Sequence, residues 1–189
     1  MRPFILSGIV LSALALAAQP SSAETDDYVR EAVLTGPTDL VWELLTTESG
    51  IRSWLAPHAA VDLRVGGLVK THQDPEGRLG DPQTAVSRVI ALNPKKAFSF
   101  RLEKAPKGYP LASMIEGTWY GVALESLPGA KTKIRCKGNG LATGWMSSMV
   151  RPVFNQGVDM VFDHLQKAVT RRLDQDGGRN RGADAKSKS

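Results

Sequence analysis

Few side chains in this 189-residue chain have both the type and the spacing that covalent chemistry requires. Glu116 sits in a stretch that alternates apolar and other residues. Pointing inward it would be a buried carboxylate with a raised pKa, able to act as acid, base or ligand anchor beside Arg88 or Tyr120. Pointing outward it does none of this, and no spacing forces the inward phase. His58, His72 and His164 are scattered, with no pair at ligand spacing. His72-x-Asp74-x-Glu76 could clasp a cation, but among Gly and Pro residues it reads as a solvated turn. The single cysteine, Cys136, has no disulfide partner and shares a strand face with Ile134, so it reads as a small buried apolar residue. Gly138-Asn139-Gly140 with Gly144 precedes a helix, as a phosphate loop would, yet its spacing departs from the dinucleotide fingerprint. There is no Gly-x-Ser-x-Gly elbow, Walker loop or CxxC pair. No catalytic residue, metal site or cofactor is assigned on these grounds.

The run from Gly36 to Val69 organises the elements around it. Pro37 suits a first helical position and Asp39 the positive first turn, and Leu40, Val41, Leu44 and Leu45 recur at helical spacing. A second short helix starts near Thr47 or Glu48, brings Ile51, Trp54 and Leu55 to one side, and stops before Pro57. Val61, Leu63 and Val65 then alternate with Asp62 and Arg64 as a strand, and Gly66-Gly67 supplies a hairpin turn. Tyr28–Leu34 precedes this run as a first strand, and Leu68–His72 follows it as another. Residues 73–82 are a loop and 84–92 a strand, after which Phe98, Phe100 and Leu102 alternate with Ser99, Arg101 and Glu103, one face aromatic and the other charged. Further strands are expected over Met114–Leu124 and Thr132–Lys137. A closing helix begins near Ser147 or Pro152 and runs to Leu173, with Phe154, Val158, Val161, Leu165 and Val169 on one stripe. Six or seven antiparallel strands with no βαβ spacing make this an α+β chain.

Arg2, the apolar run Phe4–Ala18 and the small residues Ser21-Ser22-Ala23 have the pattern of a signal peptide over residues 1–23, cleaved after Ala23. A periplasmic or secreted product is expected, with no transmembrane segment in the mature chain. The folded domain is then 24–173, and residues 174–189, which hold no apolar anchor, form a disordered tail. The formal charge of +5 falls to +4 when Arg2 leaves, an excess that favours anionic partners; no nucleic-acid motif is present and no nucleic-acid partner is expected. Lys131, Lys133, Arg135 and Lys137 share one strand face, which is either solvated or a salt-sensitive contact with anionic lipid headgroups.

Val41-Trp42-Glu43-x-Leu45-Thr46, Ile51-x-x-Trp54-Leu55-x-Pro57, Val65-Gly66-Gly67 and Gly117-Thr118-Trp119 together resemble the activator-of-Hsp-90-ATPase-like family of the START/SRPBCC superfamily, from about Tyr28 to Leu173. The resemblance implies the helix-grip fold, a curved antiparallel sheet with two short helices after strand 1 and a long C-terminal helix across it. It also implies a cavity between sheet and helix. Trp54, Phe98, Phe100, Leu102 and Tyr120, with Val122, Leu124, Phe154, Val158 and Phe162, either line that cavity or fill it as core. Three functions follow: binding of a hydrophobic or amphipathic small molecule, the chaperone partnership the family label suggests, or an enzyme of the cyclase or hydrolase kind. The export signal weighs against the second, and the third needs an inward polar pair such as Glu116 with Arg88 or Tyr120.

Overall fold

The computed structural model describes residues 28–109, 112–139 and 145–186, side chains at 114, 139, 145–151, 153, 154 and 178–186 excepted. The expected signal peptide and the 140–144 connection lie outside the described residues. In chain order the elements are β1 (Tyr28–Leu34), α1 (Thr38–Thr46), α2 (Glu48–Arg52), β2 (His58–Val61), β3 (Leu68–His72), β4 (Ala85–Asn93), β5 (Ala97–Lys104), α3 (Ala112–Ile115), β6 (Trp119–Leu127), β7 (Lys131–Asn139) and α4 (Trp145–Lys186). The seven strands form one sheet in the order β1-β7-β6-β5-β4-β3-β2. Every pairing is antiparallel. Strands consecutive from β2 to β7 pair with one another, β3 to β4 through a loop and β5 to β6 through the stretch that holds α3, and only β1 crosses, reaching its place beside β7 before the two short helices.

Local chemistry explains the boundaries. Pro37 is the N-cap of α1, in extended conformation, and its carbonyl accepts from the amides of Leu40 and Val41. It therefore stands one position earlier than a first helical residue. Thr47 joins the two short helices: its hydroxyl donates to the Glu43 carbonyl at 2.9 Å and accepts from the Gly50 amide at 2.9 Å, which caps α2.

Three expectations are corrected. Val61, Leu63 and Val65 do not continue a strand, because β2 ends at Val61 and the chain turns. The amide of Arg64 bonds the Asp62 carbonyl, Gly67 bonds that of Arg64, and Val65 is left exposed. The strand expected from Met114 begins at Trp119 instead. Ala112–Ile115 makes one helical turn, and Gly117, at φ 84°, reverses the chain and donates to the Leu102 carbonyl at 2.7 Å. Finally, α4 continues past Leu173 to Lys186, since no proline after Pro152 removes a backbone donor.

The main core lies where α4 meets α1 and the β1-β7-β6 end of the sheet. Leu34, Val41, Leu44, Leu124, Ile134, Phe162, Leu165, Ala168 and Val169 are its buried members. A second, smaller cluster of Leu102, Ala105 and Ile115 sits under α3. Polar contacts hold α4 in register with β1. Asp159 forms a forked pair with Arg30, Gln166 Oε1 accepts from the Thr35 amide at 2.7 Å, and Arg172 pairs with Glu43 of α1.

Candidate functional site: an aromatic wall on the inner sheet face

On β5 the alternation turns Phe98 and Phe100 to the face that α4 covers at one end. Register places Phe98 opposite Val122 and Phe100 opposite Tyr120, so these four share that face. The rings form a continuous row. Trp42 of α1 meets Phe98 edge-on at 5.8 Å, Phe98 stacks on Phe100 at 6.0 Å, and Phe100 lies 5.4 Å from Tyr120. This settles the phase of β6: Tyr120, Val122 and Leu124 face inward, while Trp119 faces out with the Lys137 ammonium 5.4 Å from its ring centre. Gly121 hosts no bulge, and the register shifts fall in the β4–β5 pairing instead.

The expected cavity residues divide by burial. Phe98, Leu102, Leu124 and Phe162 are buried and belong to the packed core. Phe100, Tyr120, Val122 and Val158 are half-buried. Phe154 lies on α4, but its side chain is outside the described residues. Trp54 packs against the main core beside α4: its indole donates to the Leu44 carbonyl at 3.0 Å and it lines an open cleft of about 570 Å³ with His164, Gln166, Lys167, Thr170 and Arg171. At the far end of the wall Tyr120 Oη is 2.8 Å from Thr118 Oγ1, which also bonds the Ile115 carbonyl at 2.6 Å. Burial pushes the Tyr120 phenol upward, and the Thr118 contact opposes that in part.

The polar pair needed for an enzyme is not assembled. Glu116 is exposed and accepts from the Ala105 amide at 2.8 Å. Arg88 is committed to Glu103 and to the Gly66 carbonyl. The carboxylate of Asp74 is likewise occupied, accepting from the Glu76 amide at 3.0 Å. The histidines are less scattered than their numbers suggest, because the β2–β3 hairpin sets His58 directly opposite His72, with ring centres 6.1 Å apart. His72 is buried, its Nδ1 accepts from the Asp74 amide, and Asp81 lies 3.9 Å from its Nε2. Among the described residues no group of three or more His, Cys, Asp or Glu could hold a metal ion.

On the outer face the basic row is partly neutralised, since Glu31 of β1 pairs with both Lys133 and Arg135. No helix of the described residues is long and apolar enough to cross a membrane. Cys136 faces inward, between Arg30 and Val122 in register, and burial pushes its thiol up to about 12. Two consequences follow. At pH 8 iodoacetamide is expected to label the folded chain more than a hundredfold more slowly than the urea-unfolded chain, where a thiol titrates near ~8.5. The unfolded thiol gives up its proton first as pH rises, so stability is full below about pH 8 and declines toward the folded value, a loss that Cys136→Ala should abolish.

A seven-stranded antiparallel sheet with a long C-terminal helix packed on one end is the arrangement of the helix-grip (SRPBCC) class of α+β proteins. The chain belongs to the family of Activator of Hsp90 ATPase homolog 1-like proteins, whose model matches residues 35–170. Among curated proteins none matches. Solved structures with the same fold include a protein from Mesorhizobium loti, 19% identical with a TM-score of 0.59 over 76% of this chain and 96% of that one. A protein from Nitrosomonas europaea is 18% identical with a TM-score of 0.58, over 82% and 99%. The Aha1 dimer from Colwellia psychrerythraea is 17% identical with a TM-score of 0.53, over 75% and 93%.

Proposed function

We propose that this chain is an exported helix-grip protein that binds a hydrophobic or amphipathic small molecule, a lipid or an aromatic compound, between the sheet and α4, without covalent catalysis. The observation that carries this reading is the half-buried part of the aromatic wall, Phe100 and Tyr120 beside Val122, which core packing alone leaves incompletely covered. Export is supported by the pattern of residues 2–23.

Titration with pyrene and with a fluorescent fatty acid, backed by native mass spectrometry of the recovered protein, tests the reading. Phe100→Ala is expected to weaken pyrene binding about tenfold while the protein stays folded, the effect of losing ~1.4 kcal/mol of ring contact. No binding of either probe by the wild type would overturn the proposal. A second reading, partnership with an Hsp90-type chaperone, is favoured by the family match. Cell fractionation separates the two, because a cytoplasmic full-length chain that stimulates a chaperone ATPase supports partnership, and a periplasmic chain beginning at Glu24 supports export.

A further inference from the structure

The inner stripe of α4 carries one polar residue that the packing does not explain. Asn155 has its Oδ1 closed to solvent with no hydrogen-bond partner among the described residues. A buried acceptor left unmade costs free energy on the order of 1–3 kcal/mol, which is why such atoms are rare and call for a reason. At roughly 100° per residue, Asn155 projects about 20° from the direction of Phe162 and about 40° from that of Asp159. Phe162 is buried in the main core and Asp159 grips Arg30 of β1, so both flanking directions lead to the inner sheet face.

Its level on that face follows from the same contacts. Gln166 meets Thr35 and Asp159 meets Arg30, so α4 and β1 advance together. Four helix residues back from Asp159 are about 6.0 Å, and two strand residues back from Arg30 are about 6.6 Å, which sets Asn155 level with Tyr28. Tyr28 begins a cross-strand row, Tyr28–Gly138–Tyr120–Phe100, running into the half-buried part of the aromatic wall. The orphaned oxygen therefore faces the Tyr28 end of a row that leads across the sheet to the wall the proposed function uses.

We propose that Asn155 Oδ1 is the polar anchor of the binding site, accepting a hydrogen bond from the ligand. The inference rests on the small-molecule reading above and narrows it. The ligand class is a neutral apolar or aromatic molecule bearing a hydrogen-bond donor, an alcohol, phenol or amide; a carboxylate would set one acceptor against another. No bond is made or broken in the step. The Phe100 and Tyr120 rings hold the apolar body and Asn155 fixes its orientation.

Three naphthalene probes on the full folded chain test this by calorimetric or fluorescence titration. Wild type is expected to bind 2-naphthol about tenfold more tightly than 2-methoxynaphthalene, which lacks the donor, and more tightly than 2-naphthoate. In Asn155→Ala the ratio of the first two should collapse to about one, with methoxynaphthalene affinity little changed. A wild-type ratio near one, tighter binding of naphthoate, or an Asn155→Ala ratio equal to that of wild type overturns the anchor and leaves the pocket standing. Failure of wild type to bind any of the three removes the pocket and the anchor together. The wild-type ratio decides the matter even where the variant folds poorly.

Discussion

Leu165→Ala is expected to destabilise the chain by about 3–5 kcal/mol, a large share of the ~5–15 kcal/mol that holds a domain of this size. Leu165 is 0% exposed and sits among Leu34, Val41, Ile134, Phe162 and Val169, where α4, α1 and the β1-β7 edge converge. Its removal leaves a void that those neighbours cannot readily fill, because α4 is tied on both sides by the Arg30–Asp159 and Arg172–Glu43 pairs. Those pairs are more than a third exposed on at least one partner and contribute little energy themselves, so they fix position without compensating the lost burial. The thermal midpoint should fall by roughly 8–15 °C in a circular-dichroism melt. Met160→Ala, on the same helix but 54% exposed, should change it by less than about 2 °C. A loss below ~1 kcal/mol for Leu165→Ala would show that α4 is not the element that closes the sheet, and the binding site proposed beneath it would lose its lid.

What could be read in the residues was what periodicity alone determines. The α1 stripe, the Phe98-Phe100-Leu102 alternation and the α4 stripe each repeat with the period of one element, and each element formed where that period holds. Boundaries failed where a local hydrogen bond outweighed the pattern. The alternation from Val61 to Val65 is genuine, yet the Asp62 carbonyl accepts from Arg64 and turns the chain before a strand can continue. The alternation through Met114 gave way to a single helical turn closed by Gly117. The site was less legible because its parts are joined across the sheet. His58 and His72 become neighbours only through a hairpin register, and Arg30 finds Asp159 only once α4 has docked. Asn155 carries no sequence signal beyond being a polar residue on an apolar stripe, three positions before Val158 and seven before Phe162.

Gly138→Ala is the second large effect, and its sign is opposite to what propensity suggests. In a strand alanine is ordinarily better than glycine by about 0.5–1 kcal/mol, because glycine loses more chain entropy on folding. At position 138, however, an added Cβ would lie 2.6 Å from the Trp119 carbonyl oxygen and 2.8 Å from both Cε1 and the phenol oxygen of Tyr28. The carbonyl belongs to β6, whose Tyr120 is the register partner of Gly138, and the ring is only 6% exposed, so neither neighbour can yield cheaply. Overpacking of this kind costs about 1–3 kcal/mol, which outweighs the entropy gain. The strain should be local, loosening β1 from β7 and tilting the Tyr28 end of the row on which the proposed ligand lies. Amide exchange at Arg30 and Ala32 should accelerate more than at Phe98 or Phe100. Tyr28→Ala in the same chain should relieve part of the clash, so the double variant loses less stability than the two single losses added together, by about 1 kcal/mol. Gly157→Ala, where an added Cβ meets nothing within 4 Å, is the control and should stabilise α4 by ~0.5–1 kcal/mol. If both alanines stabilise alike, Tyr28 does not lie across β7, and the row that links Asn155 to the aromatic wall is wrongly drawn.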